Sequence, residues 1–234
     1  SVSSLTHLEC AVPCGAPSLD PSGNHHLCRC GAPLLARYDF SHLDTVRLQH
    51  ELAMAPPTMW RYREMLPQTA SSGPITLGEG WTPLVHAKRL GKAIGVGRLF
   101  IKDESHNPTN SFKARGLSAA VTVAHRLGAT TLSVPSAGNA ANALAAYAAS
   151  AHIPAKVYMP KDVKQPFIDE CELYGADITL VDGLISDAGR IAKESSDKHG
   201  WYDVSTLKEP YRIEGKKTMG LELADQMGWE VPDV

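Results

Sequence analysis

The stretch Thr131 to Ala151, T-L-S-V-P-S-A-G-N-A-A-N-A-L-A-A-Y-A-A-S-A, passes from a short β-rich run through a small polar turn into an alanine-rich segment. Its first five residues read as a strand, Thr131–Pro135, and its last thirteen as a helix, Asn139–Ala151. Outward from it, the same alternation continues in both directions. Further strands are expected at Leu99–Asp103, Ala155–Met159, Asp177–Val181 and Trp201–Val204. Helices are expected at Phe112–Leu127, Gln165–Tyr174, Ser186–His199 and Arg212–Met227, with Gly128, Gly175 and Gly200 each just past a helix end. Strand–helix alternation at this spacing predicts an α/β fold of parallel βα units with helices covering the sheet. The chain stops at Val231-Pro232-Asp233-Val234, where another strand is expected, so the sheet reads as C-terminally incomplete.

Composition narrows the class. With 234 residues, 43% hydrophobic and 21% charged, the chain has enough apolar material for a real core. A formal net charge of −2 without a Lys/Arg block points to neither nucleic acid nor an acidic membrane surface. No apolar run approaches the ~20 residues of a membrane span, and no export signal opens the chain, so a cytoplasmic protein is expected.

The first 40 residues differ from the rest in their Cys, Pro, Gly and His content. Cys10-x3-Cys14-Gly15 and Cys28-x-Cys30-Gly31 resemble two thiolate knuckles of a zinc ribbon, whose tight turns need glycine. Neither spacing is C-x2-C, so the segment reads equally as a zinc-loaded ribbon or as one whose site has eroded. His25 and His26 are candidate substitute ligands or plain surface residues. Cys171, alone in a helix, reads as a small packed hydrophobe. Residues 41–73 read as a helix and then irregular chain, with Trp60, Tyr62, Met65 and Leu66 packing it onto the body.

Two loops carry candidate chemistry. Ser136-Ala137-Gly138-Asn139-Ala140 lies at the carboxyl end of a strand, where open α/β sheets hold anions on free N–H groups; helix capping by Ser136 or Asn139 is the alternative. Lys113, in N-P-T-N-S-F-K-A-R-G from Asn107 to Gly116, sits where a turn becomes a helix. It is either a solvated lysine of a first helical turn or a shielded amine available for nucleophilic work. Two phosphate-loop readings fail. Gly91, Gly95 and Gly97 precede a strand rather than follow one, and Gly215-Lys216-Lys217-Thr218 has Pro210 where the upstream glycine belongs.

Taken together, Ser111-Phe112-Lys113-Ala114-Arg115-Gly116 and the Ser136–Ala140 loop resemble the tryptophan synthase β-like, fold type II pyridoxal-phosphate enzymes. Leu77-Gly78-Glu79-Gly80-Trp81-Thr82-Pro83-Leu84, Trp60-Arg61-Tyr62-Arg63 and Arg212-Ile213-Glu214-Gly215-Lys216-Lys217-Thr218 extend the resemblance toward the threonine synthases. The resemblance implies that Lys113 holds pyridoxal 5′-phosphate as a Schiff base, with Phe112 against the ring and Asn139 on its 3′ oxygen. It implies that Ser136, Ala137 and Gly138 bind a substrate α-carboxylate and that Arg212 binds a substrate phosphate. It further implies a homodimeric lyase converting O-phosphohomoserine and water to threonine and phosphate.

Ala137 and Ala140 depart from the usual S-T-G-N-T, which admits a threonine or serine dehydratase or a phosphoserine-using synthase instead. The family's Gly-rich phosphate loop and the partner of its pyridine nitrogen are expected beyond Val234, so a non-catalytic fragment is a further reading. The implied division is residues 1–40 as ribbon, 41–116 as the start of the large cofactor domain, 117–205 as a small βα domain, and 206–234 as the return.

Overall fold

The structure is a computed structural model and describes residues 3–233. Strands β1 (Leu5–Cys10) and β2 (Leu34–Tyr38) pair antiparallel and form the only regular part of the cysteine-rich extension among the described residues. Helix α1 (Thr45–Met54) starts at Asp44, whose carboxylate accepts the N–H groups of Val46 and Arg47 at 3.0 Å each. A 3-10 segment, Met59–Met65, follows and buries Trp60 and Tyr62, anchoring the irregular chain as its apolar residues predict.

Next come β3 (Leu84–His86), α2 (Lys88–Ile94) and β4 (Phe100–Lys102). Here the expectation of parallel pairing fails, because β3 and β4 run antiparallel. Helix α2 is only seven residues long and ends at Gly95 in the left-handed conformation (φ +76°). The Val96 N–H bonds back to the Gly91 carbonyl, so the chain reverses beside β3 instead of crossing over the sheet.

The regular alternation then proceeds through α3 (Lys113–Arg126), β5 (Leu132–Pro135), α4 (Asn139–Ser150), β6 (Ala155–Pro160), α5 (Gln165–Leu173), β7 (Asp177–Val181), α6 (Ile185–His199), β8 (Tyr202–Asp203) and α7 (Tyr211–Gln226). The four strands form one parallel sheet in the order β7-β6-β5-β8. Element ends lie within two residues of the sequence expectations. The boundary read after Gly116 falls inside the unbroken helix α3.

Alternation of side chains explains the two covered faces. Leu132, Val134, Val157 and Met159 point into a core shared with α3 and α4. Tyr158 and Val181 point the other way, against Ala188 and Ala192 of α6. Cys171 is fully buried in the first core, its Sγ 3.3 Å from Asn142 Oδ1, as a small packed residue should be. Helix α7 returns across α3, and this crossing builds the site.

Candidate functional site

The turn before Lys113 is held from several sides. Asn107 Oδ1 accepts the Gly80 N–H at 3.0 Å, while its Nδ2 donates to Glu104 Oε2 at 2.8 Å and to the Glu104 carbonyl at 3.0 Å. Thr109 and Asn110 both adopt left-handed backbone (φ +58° and +55°), an uncommon state for two successive non-glycine residues. Ser111 Oγ then accepts the Lys113 N–H at 3.3 Å and starts α3.

Lys113 is half-buried, with Nζ 4.5 Å from the centre of the Phe112 ring. Burial, and then the Arg212 charge, hold its amine below the ordinary lysine range. On α7, Lys216 places its Nζ 5.9 Å from the same ring, and burial, Arg212 and Lys113 lower it as well. Arg212 is buried at 2% exposure; its Nη1 donates to the Val204 carbonyl at 2.7 Å. Its Nε and Nη2 are buried without a hydrogen-bond partner. Two lysines thus converge on Phe112 with the Arg212 charge close to both, and Arg212 keeps two open donors, which is a site for an anion.

The start of α7 is fixed by Glu209. Its Oε2 accepts the N–H groups of Tyr211 (2.9 Å) and Arg212 (2.7 Å), and its Oε1 accepts the Tyr202 hydroxyl at 3.2 Å. Complete burial pushes this carboxyl up to about 7 despite those donors.

Behind Lys113 lies a buried ionic network that the sequence reading missed. Arg115, fully buried, reaches Glu104 Oε2 (2.7 Å) on one side and Glu222 Oε1 (2.5 Å) on the other, with Thr218 Oγ1 at 3.0 Å. Lys102 Nζ adds a second pair to Glu222 at 2.8 Å. The neighbouring Glu79 carboxylate is equally buried and accepts Trp60 Nε1, Thr76 Oγ1, the Leu77 N–H and the Tyr147 hydroxyl. Lys216 was visible in the sequence as part of a failed phosphate loop and of the Arg212–Thr218 resemblance, with no role of its own. Arg115 in α3 and Glu222 in α7 were a signal for the network, since a charge on the buried face of a helix requires partners.

Helix α4 packs against the Pro108–Asn110 turn, so the Ser136–Ala140 loop neighbours the Lys113 loop. Ser136 Oγ accepts the N–H groups of Gly138 (3.2 Å) and Ala141 (3.1 Å), so its hydroxyl caps α4. Ala137 and Asn139 are exposed, and the Asn139 side chain makes no hydrogen bond among the described residues. A Cβ on Gly138 would stand 3.3 Å from the Phe167 ring, so that ring closes over the glycine.

The sulfurs of Cys10, Cys14, Cys28 and Cys30 all lie within 4.8 Å of one another, with the Cys10–Cys30 and Cys14–Cys28 pairs at 3.5 and 3.6 Å. Four thiolates at Zn–S bonds of about 2.3 Å stand roughly 3.8 Å apart, so this donor set matches a tetrahedral ion. Gly15 (φ +72°) and Gly31 (φ +86°) make the two turns. The histidines contribute no ligand to this cluster; the His26 ring instead lies 4.7 Å from that of Tyr202.

An amine of lowered basicity beside an open, buried guanidinium is the equipment for an anionic carbonyl compound. Residues 75–234 match the family model for pyridoxal-phosphate dependent enzymes, and the chain belongs to that family, with the α/β architecture of its fold type II members. Among curated relatives, the threonine synthase of Methanosarcina acetivorans is 36% identical over 98% of this chain and 55% of its own length. That of Methanocaldococcus jannaschii is 34% identical over 97% and 56%. The chain spans about half the length of the curated relatives it matches. Maize serine racemase superposes with a TM-score of 0.58 at 26% identity, covering 63% of this chain and 45% of that one. Escherichia coli diaminopropionate ammonia lyase in complex with D-serine, at 20% identity and TM-score 0.61 over 97% of this chain and 56% of that one, shares the fold.

Proposed function

We propose that this chain carries the lysine-bearing part of a threonine-synthase-type lyase, which removes phosphate from O-phosphohomoserine and adds water to give threonine. The observation that carries the reading is Arg212, buried with Nε and Nη2 unpaired beside Lys113. Two curated relatives named threonine synthase support it. Pyridoxal phosphate, when bound, supplies an electron sink for a deprotonated carbon. Lys113 Nζ is the amine that would hold it and afterwards carry a proton to and from substrate carbon. Phe112 would flank its ring and Asn139, with a free side chain, would meet its 3′ oxygen. Ser136, Ala137 and Gly138 would offer the α4 end to a substrate carboxylate, and Arg212 would orient the substrate phosphate.

The same reading makes the protein a cytoplasmic homodimer acting on a small amino-acid phosphate. No helix among the described residues is long and apolar enough to cross a membrane. The four-thiol cluster reads as a structural zinc site.

Borohydride reduction after adding pyridoxal phosphate, followed by peptide mapping, tests the lysine. Label at Lys113, absent from Lys113→Ala, is expected; label spread over other lysines would sink the assignment. Ala137 and Ala140 favour a second reading, a dehydratase of threonine or serine. Phosphate release from O-phosphohomoserine supports the first, and ammonia release from threonine or serine without it supports the second.

A further inference from the structure

The cysteine-rich extension meets the protein body at residues 59–66 and, through its loop, around the end of α3, β8 and the start of α7. Between its two strands, residues 11–33 contain no helix or strand and are tied only by the isolated bridges Leu8–Leu19 and Leu27–Pro33. A two-stranded antiparallel pair is marginal on its own, so this loop takes its shape from whatever joins the four sulfurs. The loop nevertheless makes specific contacts. The Pro21 carbonyl accepts Arg126 Nη2 at 2.8 Å and the Tyr211 hydroxyl at 3.5 Å. His26 lies against Tyr202, and Cys28 shares an apolar cluster with Leu8, Leu34, Val123 and Tyr211. Tyr202 and Tyr211 are in turn the two residues that bracket Glu209, through the Tyr202 hydroxyl and the Tyr211 N–H. Glu209 also holds the N–H of Arg212.

We infer that the metal centre is a clamp on the anion site: zinc held by Cys10, Cys14, Cys28 and Cys30 fixes the Pro21–Cys28 loop, which seats Tyr202 and Tyr211 around Glu209 and so positions Arg212. This rests on reading the Lys113–Arg212–Lys216 cluster as an anion site. It makes the extension a positioning element for a site to which it contributes no contacting residue. Zinc loss would then weaken anion binding while leaving the parallel sheet in place, since no cysteine ligand lies in that sheet or its helices.

The test uses the 234-residue chain without added cofactor. Zinc is measured by colorimetric chelator after thiol displacement, inorganic phosphate affinity by calorimetry, and amide exchange of residues 209–215 by mass spectrometry, before and after zinc removal. One zinc per chain is expected, with phosphate binding weakened about tenfold on its removal, within the usual 5- to 150-fold range of site coupling, and faster exchange confined to 209–215 and the extension. His26→Ala and Arg126→Met keep all four thiols, so they guard against a cysteine variant that does not fold. They should retain zinc yet show the same weakening and faster exchange. Protein that takes up no zinc overturns the clamp at its first step. Bound zinc whose removal changes neither phosphate affinity nor exchange overturns the coupling. Absence of phosphate binding by the zinc-loaded chain overturns both the clamp and the anion site beneath it. Failure of pyridoxal-phosphate labelling at Lys113, measured separately, would strike the proposed enzyme function instead.

Discussion

Gly116 of α3 and Gly215 of α7 bring the two helices into backbone contact. A Cβ on Gly215 would stand 2.0 Å from the Arg115 carbonyl oxygen, and one on Gly116 would stand 2.8 Å from the Arg212 carbonyl oxygen. No side chain fits in that crossing. The closeness is what allows Arg115 to reach Thr218 and Glu222, and what places Lys113 near Arg212 and Lys216.

Gly215→Ala should therefore force α3 and α7 apart. Overpacking of a close contact costs about 1–3 kcal/mol, and here backbone rather than a flexible side chain must move. Urea unfolding checks it. Superimposable curves for the variant and the parent chain would show that the crossing tolerates a methyl group.

Arg115→Met should destabilise more. Removing one partner of a buried pair costs about 3–5 kcal/mol, and because Lys102 and the Trp81 N–H still meet Glu222 the loss should fall at the lower end of that range. Burial alone raises the Glu222 carboxyl, but Arg115 and Lys102 hold it below its ordinary value of 4.5. That contribution is complete above 4.5 and is lost as pH falls below it. Arg115→Met combined with Glu222→Leu should recover part of the loss in chemical denaturation.

Glu209 has the opposite sign. Burial raises it from 4.5 to about 7, so between those values the folded chain holds a proton that the unfolded chain has released. Its contribution is present below 4.5 and lost as pH rises through about 7. Melting temperature followed from pH 5 to 8, against the parent, should lose part of its slope in Glu209→Gln. An unchanged slope would assign the dependence elsewhere.

Arg212→Gln should raise the basicity of Lys113 and Lys216 together. Burial is the larger cause of their lowered values, so the shift should be partial. The pH dependence of reductive methylation, read at each lysine by mass spectrometry, measures it. A lowered or unmoved Lys113 would contradict the action of the Arg212 charge on it.

The sheet was legible because its signals are local. From Thr131 to Ala151 the strand, the Ser136 cap and the alanine helix are all encoded within one turn of chain, and Gly128, Gly175 and Gly200 (φ +76°, +77° and +68°) end their helices where expected. The β3–β4 pairing was not legible, because direction depended on how a seven-residue helix turned at Gly95. Of the site, Lys113 and Arg212 stood out through motif resemblance. Lys216 did not, because nothing in G-K-K-T says which lysine faces Phe112.

What the sequence by itself determined is the set of local chemistries: a lysine at a helix start, a capped loop at a strand end, and two thiol pairs each on a glycine turn. Propensity, capping and turn geometry act over a few residues, so one dimension suffices for them. Only the tertiary structure decided the meetings. Arg115 finds Glu222 across 107 positions, Cys10 finds Cys30 across 20, and the extension finds Tyr211 across 190 from Pro21. Those contacts depend on a glycine-to-glycine helix crossing and on a metal-ligand geometry, both set by packing rather than by neighbours in the chain.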